Sequence, residues 1–457
     1  MTDAPPLLES TRRALDHRLA RAQAEGRTPS LVGGMIRDGR LVWTGAAGAV
    51  GGTMPTPGTQ YRIGSITKTF VAVLVLRLRD EGLLDLSDPL ETHLPGTGVG
   101  DRTVLQLLSH TAGIASETPA PWWERTDGGV RPEVADVLGP EPRTLLPGRS
   151  FHYSNPGFAL LGALVARRRG KAFGEVLAAE VLEPLGLRRT SLMPAAPHAP
   201  GFAVHPWADL LLPEPAHDAG LMAPAGQLWS TVEDLSRFAA FLLEGDDRVL
   251  SRDSVEEMRE PVGGTDAEAG GYGLGLQISG GPRSLVGHGG SMPGFLAGLD
   301  LAVDAGLGVV AFANATSGPD VGKMIEDLVE VVVEAEPRFP PPWAPLPEAD
   351  PALLALTGPW YWGAAPFALK LLGDRHLELV TLGSRGRQSR FRPQGDGTWT
   401  GLDGYYRGET LTVVRDASGA VTHVDLGSFV LTREPYGPAD VVPGGIDGPG
   451  WVGDRQG

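Results

Sequence analysis

The sequence predicts an α+β fold: one antiparallel sheet flanked by helices, interrupted by a helical insertion and followed by a separate all-β module. Three observations carry this. The element order runs helix, two strands, a long helical and loop-rich middle, then three strands and a helix, which brings early and late strands into one sheet. Six prolines fall between Pro337 and Pro347, with another at Pro351, and such a stretch is a semi-rigid spacer. Beyond it, short β-rich runs recur between turn residues, as in a small barrel or sandwich. At 457 residues the chain has the length of two or three domains.

Taken in order, residues 6–25 read as an amphipathic helix with Leu8, Ala14, Leu15 and Leu19 near one face. Residues 31–37 and 40–47 flank Asp38-Gly39, a strong hairpin signal. Residues 64–82 form a helix whose middle, Phe70 to Leu76, is apolar all round and therefore buried. Residues 83–200 are helical and rich in Pro and Gly, and Trp122-Trp123 there either overhang a cleft or pack. Residues 228–243 are a helix, with Thr231-Val232-Glu233-Asp234 resembling a capping box in which Asp replaces Glu. Strands follow at 272–279, 295–303 and 307–313, the last two joined by Asp304-Ala305-Gly306, and then a helix at 318–334. After the linker, strands are expected at 367–372, 376–381, 388–393, 397–402, 410–415, 421–426 and 429–433, with Trp360, Tyr361, Trp362 and Trp399 filling their core. The expected domains are therefore 1–335, a linker 336–350, a β domain 351–434 and a Gly/Pro-rich flexible tail 435–457.

Composition removes several classes of function. There is no cysteine, which excludes disulfides, thiolate metal sites and cysteine nucleophiles. Lys+Arg 39 against Asp+Glu 55 gives a net charge of −16, which argues against nucleic acid or an anionic membrane as partner. No run approaches the roughly 18–20 apolar residues of a membrane span. The first residues lack a basic stretch followed by an apolar one, so cytoplasmic placement is expected. The ten histidines never form His-Glu-x-x-His, so no metal is expected. Gly96-x-Gly98-x-Gly100 opens no helix, and Gly-Lys at 170–171 and 322–323 lacks a following Ser or Thr. No nucleotide or other cofactor is expected.

Three short motifs carry chemistry. Ser65-Ile66-Thr67-Lys68 opens the apolar helix and places a hydroxyl and an amine on one face. A helix start also offers free backbone N–H groups to an oxyanion. Serine needs a base, and lysine can serve if burial lowers its pKa, as arginine cannot. Only four lysines occur, Lys68, Lys171, Lys323 and Lys370, and only Lys68 has a serine three residues before it. Tyr153-Ser154-Asn155 supplies a phenol able to relay a proton and an amide able to orient a carbonyl. Gly287-His288-Gly289-Gly290-Ser291, placed between strands, lets backbone approach a ligand closely.

Together and in this order, these motifs resemble the serine β-lactamase and penicillin-binding-protein family, in its class C, D-aminopeptidase and esterase branch. That family uses Ser-x-x-Lys, then Tyr-x-Asn, then Lys-Thr-Gly or His-x-Gly. Leu107-Leu108-Ser109-His110-Thr111-Ala112-Gly113 is similar to its Leu-Leu-x-His-x-Ser-Gly segment, and Pro224 to Thr231 resembles the segment before a late helix. The resemblance covers about residues 10–335 and implies a class C β-lactamase-like domain. It implies that Ser65 is the acylated nucleophile, that Lys68 and Tyr153 are base and proton relay, and that Asn155 binds the acyl-side amide. It further implies an oxyanion hole from the backbone N–H groups of Ser65 and Ser291, with His288 and Gly290 lining the substrate site. His288 stands where many relatives have lysine, which weighs against β-lactam hydrolysis.

Several members of that family carry a lipocalin-like barrel after the catalytic domain, and residues 351–434 fit one. The resemblance leaves a small-molecule or peptide acyl substrate, with a peptidyl carrier protein as a possible partner. The ranking is acyl transfer on D-residue-containing peptides (thioester cyclisation or hydrolysis), then an esterase or D-aminopeptidase, then a β-lactamase. A penicillin-binding sensor without turnover is the non-enzyme alternative.

Overall fold

The computed structural model describes residues 6–437 and 440, apart from 267–269, 281–282, 340–341, 349, 374, 384–385 and 438–439. The chain divides into two compact units, Met1–Arg338 and Phe339–Gly457.

In the first unit, helix α1 (Glu9–Glu25) precedes the hairpin β1 (Ser30–Arg37) and β2 (Arg40–Gly48). Strand β3 (Tyr61–Arg62) leads into α2 (Thr67–Asp80), and the insertion contains α3 (Val104–Leu108) and α4 (Asn155–Arg169). A small hairpin, β4 (Gly201–Val204) and β5 (Leu211–Glu214), is followed by β6 (Trp229–Ser230) and α5 (Val232–Glu244). The late strands are β7 (Gly263–Asp266), β8 (Gly270–Tyr272), β9 (Gln277–Ile278), β10 (Val286–Met292), β11 (Phe295–Ala302) and β12 (Leu307–Ala313). Helix α6 (Val321–Ala335) closes the unit.

The main sheet has the order β2-β1-β12-β11-β10-β9-β8-β7 and is antiparallel between all neighbours. Side chains alternate across it. Leu31, Met35, Val309 and Ala311 join Leu15, Leu19, Ile325 and Leu328 in one layer beneath α1 and α6. Val32, Ile36, Val310 and Phe312 face the other way, in the layer that holds α2 and α5. In α2, eleven of fourteen residues are buried, and Phe70 stacks on Phe238 of α5 with ring centroids 3.7 Å apart. A helix so enclosed takes its first ten side chains out of water, Lys68 included.

The structure departs from the expected elements at informative places. The span 272–279 is two short strands, because residues 273–276 turn sharply with Gly275 at φ +73°. The segment Gly287–Ser291, expected between strands, is itself strand β10 and pairs with β11 from Val286↔Leu301 to Met292↔Phe295. Its glycines erased the alternation that marks a strand. Residues 64–66 form a 3-10 turn ahead of α2, and 229–230 pair with β3 before α5 begins. Thr231 caps α5 by accepting from the Asp234 N–H at 3.1 Å. Leu8 precedes α1 and is exposed.

The second unit is an eight-stranded meander. Its strands are β13 (Gly358–Trp362), β14 (Ala365–Leu371), β15 (Leu377–Thr381), β16 (Ser389–Pro393), β17 (Thr398–Gly401), β18 (Thr410–Arg415), β19 (Val421–Leu426) and β20 (Phe429–Leu431), in that spatial order. Tyr361 and Thr432 exchange backbone hydrogen bonds of 2.7 and 2.9 Å, so the first strand meets the end of the last and the barrel is nearly closed. Its interior is filled by Trp360, Phe367, Leu369, Leu377, Phe391, Trp399, Leu411 and Leu426, among others, as expected of a barrel this narrow. The sequence pointed to seven strands; β13 was hidden because Gly358-Pro359 reads as a turn. Trp362 is not core but 43% exposed, at the strand end against Phe429. Most of the tail expected to be flexible, 438–439 and 441–457, lies outside the described residues.

Candidate active site

Ser65 stands in the 3-10 turn ahead of α2. Gly64 has φ +52°, and a Cβ there would lie 2.5 Å from the Ser291 nitrogen. Only glycine permits this approach, and it brings the backbones of Ser65 and Ser291 side by side. Gly290 is equally constrained: a Cβ on it would collide with the Ile63 carbonyl. In the geometry it packs the strand closely against the turn.

Lys68 is fully buried. Its Nζ is 2.9 Å from Ser65 Oγ, 2.7 Å from Asn155 Oδ1 and 2.6 Å from the Ala225 carbonyl. Burial pushes its ammonium down to about 7, while Glu117 and Glu124 pull it back up. The neutral amine suits this cage. As the ammonium, Lys68 donates to all three oxygens; once deprotonated it keeps two hydrogens for Asn155 Oδ1 and Ala225 O, and its lone pair can accept the Ser65 proton. The Tyr153 ring lies 4.8 Å from Nζ. Its hydroxyl shares a hydrogen bond with Ser65, but burial raises it above the ordinary phenol range. It is therefore a neutral donor that can pass a proton only as part of a relay.

Tyr153 and Asn155 are delivered by the start of α4. Ser154 caps the helix by accepting from the Gly157 N–H, and its own N–H donates to His110 Nδ1 at 3.0 Å. His110 is buried, adopts φ +56° and packs 4.2 Å from the Tyr153 ring. Burial keeps it neutral, well below its ordinary pKa. The Asn155 side chain is used at both ends: its Nδ2 donates to Glu117 Oε1 at 2.6 Å while its Oδ1 faces Lys68. The amide expected to meet substrate is here an internal brace of the lysine.

His288 also differs from expectation. It is buried, with Nε2 3.0 Å from the Tyr272 hydroxyl and Nδ1 2.6 Å from the Gly289 carbonyl. Burial, with Lys68 nearby, pushes it down to about 3. It is a neutral imidazole facing inward, so it supplies no positive charge to a substrate carboxylate. Of the tryptophan pair, Trp123 is buried and donates to Glu117 Oε2 at 2.8 Å, while Trp122 is exposed and donates to Glu124 Oε2 at 2.8 Å.

The structure therefore brings Ser65, Lys68, Tyr153, Asn155 and Ser291 together, turns His288 inward and packs Gly290 against the turn. Nothing in the sequence marked Glu117, Glu124, Tyr272 or Gln277 as part of the site. Glu117 sits in an irregular loop and Glu124 in the short 3-10 turn Trp123–Arg125, where no periodicity marks them.

The fold and this arrangement define a serine hydrolase of the β-lactamase and penicillin-binding-protein type. The chain belongs to the Beta-lactamase family, whose model matches residues 15–333; residues 349–433 match a family described as a domain of unknown function (DUF7586). Penicillin-binding protein 4 of Amycolatopsis lactamdurans is 30% identical over 325 residues, 66% of this chain and 84% of that protein. A D-stereospecific amidohydrolase from Streptomyces sp. is 32% identical with a TM-score of 0.58, covering 69% of this chain and 97% of that one. SurE with D-Leu is 26% identical with a TM-score of 0.55, covering 93% of this chain and 100% of that one.

Proposed function

We propose that the protein is a serine hydrolase or acyltransferase whose acyl donor is a D-residue-containing peptide, amide or thioester bearing a free amine. Ser65 is acylated, and the acyl group passes to water or to the peptide's own amine. Lys68, neutral in a large fraction of molecules near pH 7, takes the Ser65 proton as the carbonyl is attacked. Tyr153 relays that proton to the leaving group. The Ser65 and Ser291 N–H groups stabilise the tetrahedral oxyanion. A peptidyl carrier protein as donor and a cytoplasmic location belong to the same proposal.

The observation that carries it is the charge of the cleft. Glu117 is exposed and Glu124 half-buried, and both act electrostatically on Lys68, itself 2.9 Å from Ser65. His288, on the opposite wall, is uncharged. Such a site favours a substrate ammonium and offers little to a substrate carboxylate, which weighs against a β-lactam or a peptide C-terminus. The similarity to a D-stereospecific amidohydrolase and to a structure holding D-Leu supports the D configuration.

The test is incubation with a short peptidyl thioester ending in a D-residue and carrying a free amine, with mass spectrometry of Ser65 and of the products. Cyclic peptide identifies an acyltransferase that excludes water; linear acid identifies a hydrolase. Ser65→Ala should abolish turnover while leaving a folded chain. Absence of an acyl-enzyme with this donor and with simple p-nitrophenyl esters would sink the proposal.

A further inference from the structure

The late strands contain an arrangement that the serine chemistry does not by itself require. Strand β9 pairs with β10 only at Val286↔Ile278 and Gly287↔Gln277. From His288 onward that edge of β10 has no strand beside it among the described residues, yet it leads directly to the Ser291 N–H. Gly289 and Gly290 lie between, and two consecutive glycines leave peptide planes free to rotate.

Side chains replace the missing strand. The Gly289 N–H donates to Gln277 Oε1 at 3.0 Å. The Gly289 carbonyl, an obligate acceptor, lies 2.6 Å from His288 Nδ1, so Nδ1 carries the proton. Nε2 of this neutral imidazole is then bare and accepts from the Tyr272 hydroxyl at 3.0 Å. Both backbone groups of Gly289 are thereby held, one by Gln277 and one by the Tyr272–His288 pair.

Tyr272 and Gln277 belong to one hairpin, β8–β9, and its turn is fastened to the catalytic helix. The Thr69 hydroxyl donates to the Gly275 carbonyl at 2.9 Å, and the Gly275 N–H donates to the Leu108 carbonyl at 3.2 Å. A Cβ on Gly275, at φ +73°, would collide with the Ala72 side chain. One four-residue turn thus docks on α2 one residue past Lys68, while the strands on either side of it clamp the peptide before Ser291.

We infer that the β8–β9 hairpin is a positioning clamp for the oxyanion strand, with Tyr272 (through His288) and Gln277 as positioning residues that fix the Ser291 N–H against Ser65. This rests on Ser65 being the acylated residue. The clamp touches neither substrate nor reacting atoms, so its loss should lower kcat and leave KM nearly unchanged. Complete loss of an oxyanion donor costs about 10²–10³-fold; a donor loosened rather than removed should cost about tenfold.

The experiment compares Tyr272→Phe, Gln277→Met and Gln277→Glu in the full chain, with p-nitrophenyl butyrate as probe and melting temperature measured in parallel. The first two should each lose about tenfold in kcat with KM within about twofold. Gln277→Glu, which keeps an acceptor for the Gly289 N–H, should recover most of the loss. In Tyr272→Phe the ¹⁵N spectrum of the His288 ring should also depart from the pure Nδ1–H tautomer. Gln277 is exposed, so its variants carry the test if Tyr272→Phe does not fold. Wild-type kcat in both Tyr272→Phe and Gln277→Met, with Ser65→Ala inactive, overturns the clamp alone. Activity surviving in Ser65→Ala overturns the serine reading beneath it.

Discussion

The two walls of the cleft are built on opposite plans. The helix wall presents Ser65 and Lys68, and its reactivity is a property of side chains: an amine out of water, held by Ser65, Asn155 and Ala225. The strand wall, β10, presents glycines and a neutral histidine, and what it offers is a backbone N–H held in place. The comparison teaches that one wall depends on charge and desolvation, the other on shape. Substitutions should divide the same way. Changes in protonation should damage the helix wall without disturbing the fold, and changes in volume should damage the strand wall without touching a titratable group.

The largest expected effect breaks the helix wall. Lys68→Arg keeps the positive charge and much of the length but removes the ability to deprotonate near neutral pH. Formation of the Ser65 acyl-enzyme, followed by mass spectrometry, should slow by about 10³-fold or more, the range expected when a base that activates the nucleophile is lost. Retention of more than a tenth of the wild-type rate would mean that the serine finds its base elsewhere.

A smaller effect, and of the other kind, is expected where the strand wall packs on the turn that carries Ser65. Gly64→Ala forces a Cβ toward the Ser291 nitrogen in a left-handed conformation, and Gly290→Ala forces one into the Ile63 carbonyl. Each should lower kcat by about 10- to 100-fold, because about 1 Å of displacement at an oxyanion donor is enough. Each should also destabilise the unit by about 1–3 kcal/mol, as overpacking does, measured by urea unfolding. The pH dependence of the residual activity should be unchanged, since neither variant alters a titratable group. A shifted profile would show that the two walls are not separable as argued.

This division also explains what was legible in the sequence. Ser65 and Lys68 stand three apart on a helix whose apolar run announces its own burial, so their chemistry could be read locally. Tyr153 and Asn155 stand at a helix start that Asn-Pro marks. Strand β10 could not be recognised as a strand, because Gly287, Gly289 and Gly290 leave no hydrophobic alternation; its pairing with β11 is decided by neighbours far along the chain. Tyr272 and Gln277 acquire their roles only once the 273–276 turn docks on α2, and Glu117 only once its loop meets Asn155. In the barrel, seven of the eight strands fall within two residues of the expected bounds at each end, because turns separate them. Strand β13 was missed for a local reason, a Gly-Pro start.

The smallest effect expected tests whether the cleft carboxylates act on the helix wall at all. Glu117 and Glu124 both raise the pKa of Lys68, whereas burial lowers it to about 7. In the proposed mechanism the neutral amine is the base, so kcat/KM should rise with pH through about 7 and level off above it. His288, at about 3, stays neutral across that range and adds no second limb. Glu117→Gln/Glu124→Gln withdraws two negative charges; the amide at 124 keeps an acceptor for Trp122, while the amide at 117, with a single oxygen, accepts from only one of Asn155 and Trp123. The Lys68 pKa should fall further and the acid limb should move to lower pH. With a neutral p-nitrophenyl ester the double variant should therefore be about two- to fivefold faster than wild type at pH 6 and equal to it at pH 8.5. A free-amine substrate should show the opposite at both pH values, a raised KM, because the charges that tune the lysine are those proposed to hold the substrate ammonium. An unmoved acid limb would place the two carboxylates outside the electrostatics of the base, and the cleft charge would then have to be explained by substrate binding alone.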